Sequence, residues 1–192
     1  MKSVLICIQP QWCELIAAGK KILEIRKTRP KLETPFKCYI YCTLSGSNEF
    51  FKDDLNGDVA AWNRGKWGER KGKVIGEFIC DNIMCFGVPY PAFQSKMDKR
   101  IIEESCCTYW QLHRYAYHDA LYGWHISNLK IYDKPKELSE FYVLCDRCDK
   151  KAIRCEYGYE ENTENGYYSE CMCDFKRPIK RPPQSWRYVE EV

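Results

Sequence analysis

Residues 19–26 read Gly-Lys-Lys-Ile-Leu-Glu-Ile-Arg, and they follow an amphipathic segment at residues 10–18. Pro10 suits the first turn of a helix, and Gly19 is typical of the position just after a helix ends. Beyond Gly19, polar and apolar residues alternate as they do along a β-strand. The sequence therefore predicts a helix, a tight turn and a strand in immediate succession.

Apolar stretches on both sides of this segment predict the rest of a sheet. Strands are expected at residues 3–9, 36–42, 73–86, 122–132 and 184–189, and helices at residues 103–117 and 136–141. Because strands predominate and no βαβ rhythm is present, we expect an α+β fold, either a barrel or a curled sheet.

The composition limits the possible classes of protein. The chain has 192 residues, of which 45% are hydrophobic, so it is long enough for one main domain and a small appendage. Its longest apolar runs have five residues, which excludes a membrane-spanning helix of about 20 residues. Thirteen cysteines, several of them in strand-like segments, indicate reduced thiols and a cytoplasmic location.

Positive charge is concentrated in three stretches. Residues 20–37, 64–73 and 176–187 carry net charges of +5, +4 and +5, although the whole chain has a net charge of only +3. If the fold brings these stretches together, they form a surface for a polyanion. The alternative is three separate solvated surfaces, which is the usual role of charged runs.

The helix that ends at Gly19 and the strand after it resemble the G-x-K-x-x-E-x-R signature of ASCH domains, which belong to the PUA-like superfamily. Residues 72–78, 124–133 and 183–186 are similar to later elements of short ASCH proteins of bacteria and phages. The resemblance implies a PUA-like β-barrel with flanking helices, formed by residues 1–142 and 176–192. It also implies a cleft beside the first helix that binds RNA or a nucleotide.

Cations, a carboxylate and aromatic rings form the predicted binding set. Strand alternation places Glu24 and Arg26 on one face, where an arginine fork suits phosphate and a carboxylate accepts hydrogen bonds from a base or a ribose. Trp12 is a further candidate for base stacking. The alternative is a surface ion pair, with the tryptophans in the core. The predicted binding residues are Lys20, Lys21, Glu24, Arg26, Lys27, Arg29, Trp67, Arg181 and Trp186.

Some ASCH relatives are hydrolases, either amidohydrolases acting on acylated cytidines or ribonucleases. The resemblance assigns the amidohydrolase chemistry to a lysine, a nucleophilic threonine three residues later and a glutamate on a later strand. These positions correspond to Lys21, Glu24 and Glu77, so a glutamate stands where the threonine is expected. A nucleoside or RNA hydrolase with Lys21 and Glu77 as catalytic residues is therefore the first alternative function. The second is a phage-type interaction protein that blocks a host defence component.

Residues 143–175 differ in composition from the rest of the chain and are predicted to be an insert. Four cysteines form a C-x₂-C and a C-x-C pair, and four thiolates suit tetrahedral Zn²⁺. They are Cys145, Cys148, Cys171 and Cys173, and Cys155 could replace one of them. An acidic loop with few aliphatic residues between the pairs needs a metal to fold. The sequence therefore predicts a small structural zinc ribbon.

Overall fold

The computed structural model describes residues 2–44, 68–87, 96–117, 119–143 and 177–192. The strands are β1 (Lys2–Ile8), β2 (Leu23–Arg26), β3 (Phe36–Cys42), β4 (Val74–Phe86), β5 (Leu121–Lys136), β6 (Tyr142–Val143), β7 (Arg177–Pro178) and β8 (Trp186–Glu190). The α-helices are α1 (Pro10–Ala17), α2 (Lys96–Ser105) and α3 (Tyr109–Ala116). This mixture confirms the predicted α+β class.

All eight strands belong to one mixed sheet, in the order β2-β5-β4-β3-β1-β8-β6-β7. Near its centre, β1 runs parallel to β3 and antiparallel to β8. Val4, Leu5, Ile6 and Ile8 are at most 1% exposed, so both faces of β1 are buried. Burial on both faces explains why this strand is a continuous apolar run rather than an alternating one.

Of the two predicted forms, a barrel or a curled sheet, the barrel does not close in the part of the chain that the structure describes, because β2 and β7 remain the two edges of the sheet. The sheet instead curls until its β2 edge meets β1 and β8 through side chains. Arg26 donates to the Cys7 carbonyl across 2.5 Å, and the Trp186 indole donates to the Thr28 hydroxyl across 3.0 Å. The Trp124 and Trp186 rings meet at 5.9 Å inside the curl. Side-chain hydrogen bonds thus span the gap that backbone pairing would close in a barrel.

The outer face of β2 is covered by α2 and α3. Leu23 and Ile25 pack in one apolar cluster with Ile101 of α2 and Leu112 of α3. Gly123 of β5 makes room for this packing, since a Cβ there would lie 3.0 Å from the Leu23 methyl groups.

A single helix over residues 103–117 was expected, and the structure corrects this to two helices. Cys106 has a positive φ of 53°, which ends α2. Thr108 then begins α3 with a capping box, because its hydroxyl accepts from the Gln111 amide and the Gln111 side chain accepts from Thr108. The change of direction lets α3 reach the end of β2.

The predicted insert begins and ends at neighbouring points of the sheet. β6 and β7 pair antiparallel, with Tyr142 opposite Pro178. Residues 144–176 lie outside the described residues, so the boundaries of the insert stay a prediction.

None of the helices in the described residues has the length and apolar character needed to cross a membrane.

Replacement of Gly76 by alanine tests the close approach of β4 and β5. A Cβ at this position would lie 2.5 Å from the Lys130 carbonyl oxygen and 3.1 Å from the Ile131 Cα. Because both are backbone atoms, the strands would have to separate. We expect Gly76→Ala to lower the free energy of unfolding by roughly 1–3 kcal/mol, the usual cost of overpacking. Urea denaturation followed by circular dichroism measures this loss.

Gly87→Ala is the matched control, because a Cβ there meets no described atom within 4 Å. We expect it to change stability by about 0.5 kcal/mol or less. Equal losses in the two variants would contradict the proposed steric role of Gly76.

Candidate functional site

The turn after α1 brings the next residues into the interior. Gly19 adopts a left-handed φ of +68°, which ends the helix. Its amide donates to Ile16, and the Lys21 amide donates to the Leu15 carbonyl at 3.1 Å. These bonds satisfy carbonyls at the end of α1 that the helix leaves open. The turn therefore places Lys21 directly beside the start of β2.

Lys21 is only 2% exposed, and its ammonium group is fully engaged. It donates to the carbonyls of Leu23 at 2.9 Å and Ser105 at 2.7 Å, and it lies 3.4 Å from the Glu24 carboxylate. It also lies 4.8 Å from the centre of the Trp12 ring. Since Ser105 ends α2, this cation stabilises a helix C-terminus.

Glu24 and Arg26 share the inner face of β2, as the alternation predicted, but they are buried rather than on the surface. Their exposed fractions are 5% and 8%. The Arg26 Nη2 lies 2.9 Å from the Glu24 carboxylate and also donates to the Cys7 carbonyl. The Arg26 Nε is buried and has no hydrogen-bonding partner among the described residues. One carboxylate therefore holds two buried cations, and one guanidinium donor stays unpaired.

These three side chains line a cavity of about 770 Å³, which we call the central cavity. It lies between α1, the end of β1, β2 and α3, and residues 182–184 form a further wall. Its lining is Cys7, Ile8, Gln9, Trp12, Lys21, Glu24, Ile25, Arg26, Lys27, Tyr41, Thr43, Leu44, Cys107, Gln111, Leu112, Arg114, Tyr115, Pro182, Pro183 and Gln184. Most of these residues are apolar or aromatic, with a few charged groups, which is the usual make-up of a ligand pocket.

The central cavity carries an excess of positive charge. Among its described lining residues, Lys21, Arg26, Lys27 and Arg114 are cationic, and Glu24 is the one carboxylate. Each of the two buried cations is in contact with Glu24. Lys27 lies 4.0 Å from the Asp119 carboxylate, which is not among the lining residues.

The two cysteines of the lining are poor nucleophiles. Burial raises the pKa of the Cys7 thiol to about 12, although the Arg26 charge partly opposes this effect. Burial also raises the pKa of Cys107, against the opposing charge of Lys21. Both thiols therefore stay protonated near neutral pH, and neither provides a thiolate for covalent catalysis.

The structure brings together only part of the predicted binding set. Lys21, Glu24, Arg26 and Lys27 line the central cavity. Lys20, Arg29 and Arg181 are exposed and are not among its lining residues, although Arg181 directly precedes the 182–184 wall. Trp186 is also outside the lining, because its ring packs on Trp124 and Tyr188. Trp67 lies outside the described residues.

The two predicted catalytic residues do not share this cavity. Glu77 of β4 accepts a hydrogen bond from the Tyr132 hydroxyl at 2.6 Å and is not among the cavity-lining residues. Its neighbour Tyr132 packs against the apolar cluster of Tyr39 and Phe141. The ammonium group of Lys21, in contrast, faces the end of α2.

The predicted zinc ligands lie outside the described residues. Cys145, Cys148, Cys171 and Cys173, together with Cys155, all fall within residues 144–176. In the remainder of the chain, as far as it is described, no group of three or more His, Cys, Asp or Glu side chains is placed to hold a metal ion.

The contribution of α3 was not predicted. Gln111, Arg114 and Tyr115 line the cavity from this helix. A signal for it is present in the sequence, since Thr108 and Gln111 have the spacing of a capping box. That box starts a new helix at Tyr109 and sets which of its residues face the cavity.

The sequence matches no protein-family model and no curated protein sequence. Among solved structures, the chain is similar to the ASCH protein of Zymomonas mobilis, with a TM-score of 0.48 and 17% identity over 71% of this chain and 73% of that one. It is also similar to two mutants of the Zymomonas protein. The first has a TM-score of 0.49 and 16% identity over 72% of this chain and 77% of that one. The second has a TM-score of 0.48 and 17% identity over 71% of this chain and 74% of that one.

The charge balance among Lys21, Glu24 and Arg26 is open to a direct test. Glu24→Gln leaves two buried cations without a carboxylate, and losing one partner of a buried ion pair costs roughly 3–5 kcal/mol. Lys21→Met leaves Glu24 and Arg26 as a neutral pair. It also removes the donor from two buried carbonyls, which costs roughly 1–3 kcal/mol of stability. We expect urea denaturation at neutral pH to show the larger loss for Glu24→Gln. A loss for Lys21→Met that equals or exceeds it would contradict this account of the buried charges.

Proposed function

We propose that this chain binds RNA or a nucleotide in the central cavity. The observation that carries the proposal is the lining of the cavity, which combines four cationic side chains and one carboxylate with the aromatic rings of Trp12 and Tyr115. Cations suit the phosphates of such a ligand, and aromatic rings suit its bases.

The size of the cavity agrees with a ligand of this class. Its volume of about 770 Å³ lies within the range of roughly 300–1,000 Å³ that is usual for small-molecule sites. It also lies beside α1, where the ASCH resemblance predicts a cleft. A cavity of this volume has room for one nucleotide but not for a double helix.

Its lining offers contacts to each part of a nucleotide. Trp12 and Tyr115 present aromatic rings, on which bases of any sequence stack. Lys27, whose side chain is 42% exposed, and Arg114 supply positive charge at the solvent side. Glu24 is the acceptor for a base amino group or a ribose hydroxyl. In this proposal Lys21 is a positioning residue, since its donors hold α2 and Glu24.

The hydrolase alternative has weaker support from the geometry. It requires Lys21 and Glu77 to reach one substrate, but Lys21 donates to two backbone carbonyls and Glu77 pairs with Tyr132 outside the cavity. Binding therefore accounts for the arrangement of Lys21 better than proton transfer does.

Lys27→Ala tests the rim of the cavity. We expect the variant to bind single-stranded hexauridylate more weakly and to reduce the slope of log K against log salt by about 1, as loss of one phosphate contact does. Fluorescence anisotropy across a series of salt concentrations measures both quantities.

Lys31→Ala is the matched control, because Lys31 belongs to the same basic stretch but does not line the cavity. It should leave the affinity and the salt slope unchanged. If wild-type binding does not vary with salt, or if both variants behave alike, the proposal is wrong.

We also propose that the protein acts in the cytoplasm and that Cys145, Cys148, Cys171 and Cys173 hold one structural zinc ion. The buried, strand-borne Cys7 and Cys38 support a reducing compartment. β6 and β7 flank the cysteine-rich insert and pair with each other, so the two ends of the insert lie close together.

Elemental analysis of the purified protein should find about one zinc ion per chain, the content of a single four-cysteine site. Cys148→Ser should lose the metal, whereas Cys85→Ser should retain it because Cys85 lies in β4, outside the insert. Loss of zinc from Cys155→Ser as well would identify Cys155 as a ligand. A folded wild-type protein without zinc would disprove the zinc proposal.

A further inference from the structure

Helix α3 has a second face, of which Arg114 alone is also among the residues lining the cavity. Trp110, His113 and Arg114 are spaced at i, i+3 and i+4, so they form one stripe along the helix, and Tyr117 follows them as its C-cap. Trp110 is 68% exposed and Tyr117 is 77% exposed. Five large hydrophobic side chains are exposed in the described residues, and three of them, Trp110, Tyr115 and Tyr117, belong to this short segment. Such a concentration indicates a contact surface rather than ordinary scatter.

The rings at the start of the stripe are held together. Trp110 lies edge-on to Tyr109 at 5.3 Å between ring centres and to His113 at 6.1 Å. Tyr109 and His113 are 5.8 Å apart. These contacts limit the motion of the Trp110 ring although most of it faces solvent. A ring that is already oriented loses little conformational freedom when a ligand stacks on it.

The stripe and the central cavity are continuous. Arg114 belongs to both, and Gln111 and Tyr115 line the cavity from the adjacent face of α3. The sequence of α3 contains no acidic residue. The acidic side chains nearest in sequence are Glu104, which pairs with Arg100, and Asp119, which lies 4.0 Å from Lys27. A nucleic-acid strand that leaves the cavity at Arg114 therefore meets basic and aromatic side chains on α3 and is not repelled by a carboxylate of that helix.

We propose that this stripe binds the single-stranded nucleotides that flank the nucleotide held in the central cavity. The inference rests on the proposed function and extends it from one nucleotide to a strand. From Trp110 to Tyr117 the segment is about 10 Å long, which is enough for a short stretch of a single strand. Aromatic rings beside cations are the usual platform for single strands, because every base has a face that can stack. A duplex keeps its bases stacked inside and cannot use such a platform.

Trp110→Ala tests the platform, since an exposed side chain can be truncated without opening the core. We expect the variant to bind single-stranded hexauridylate roughly 5- to 100-fold more weakly than the wild type, the usual effect of losing one stacked base. Its affinity for uridine 5′-monophosphate should stay within about twofold of the wild type, because Trp110 does not line the cavity. Trp110→Phe should retain most of the hexauridylate affinity, since it keeps an aromatic face. Isothermal titration calorimetry at one fixed salt concentration measures these affinities for the wild type and both variants.

The outcomes separate this inference from the proposed function. If hexauridylate and the mononucleotide bind to wild type, but Trp110→Ala binds hexauridylate equally well, the stripe proposal is wrong and the cavity proposal stands. A wild type that binds neither probe overturns both. Should light scattering show a wild-type dimer that Trp110→Ala dissociates, with hexauridylate affinity unchanged, the stripe is a protein contact and the strand proposal fails. A duplex of equal length that competes as well as the single strand also overturns it.

Discussion

The structure depends on how β2 carries charge into the protein interior. Burying charged groups is costly unless they are paired, and Lys21, Glu24 and Arg26 are all nearly inaccessible to solvent. Each cation contacts the single carboxylate, and each also donates to backbone carbonyls from other parts of the chain. Compensation of this charge therefore ties three elements together, since Lys21 holds the end of α2 and Arg26 holds β1 to the edge of the sheet. The open side of the curled sheet lies where these contacts are made, and the central cavity is located there.

The same constraint separates two roles that look alike in the sequence. Lys21 and Lys27 are both lysines of one basic stretch, but the buried Lys21 donates to two backbone carbonyls and pairs with Glu24, whereas Lys27 reaches solvent at the cavity. Helix α3 is divided in a similar way. One face contributes Gln111 and Tyr115 to the cavity, and another presents Trp110 to solvent. A short helix with two differently exposed faces thus connects the central cavity with an open surface.

Errors of prediction occurred where local patterns compete. Residues 103–117 keep a helical periodicity throughout, yet the positive φ of Cys106 and the capping box at Thr108 divide them. Periodicity does not reveal a break when the residues on both sides still favour a helix. The resemblance to a family implied a barrel, whereas in the described residues the outer edge of β2 is covered by side chains such as Arg26 rather than by a further strand. No local sequence signal distinguishes these two ways of covering an edge.

The sequence by itself determined the local features around residues 19–26. Glycine at position 19 ends the helix because it accepts a left-handed φ, and alternation along β2 puts Glu24 and Arg26 on one face. Only the tertiary structure decided that this face is buried, that Glu77 lies elsewhere and that α3 completes the cavity. These features depend on contacts between distant segments, such as Lys21 with Ser105 and Arg26 with Ser185. Such contacts arise from curling of the whole sheet, and the periodicity of a single element carries no information about which distant segment will meet it.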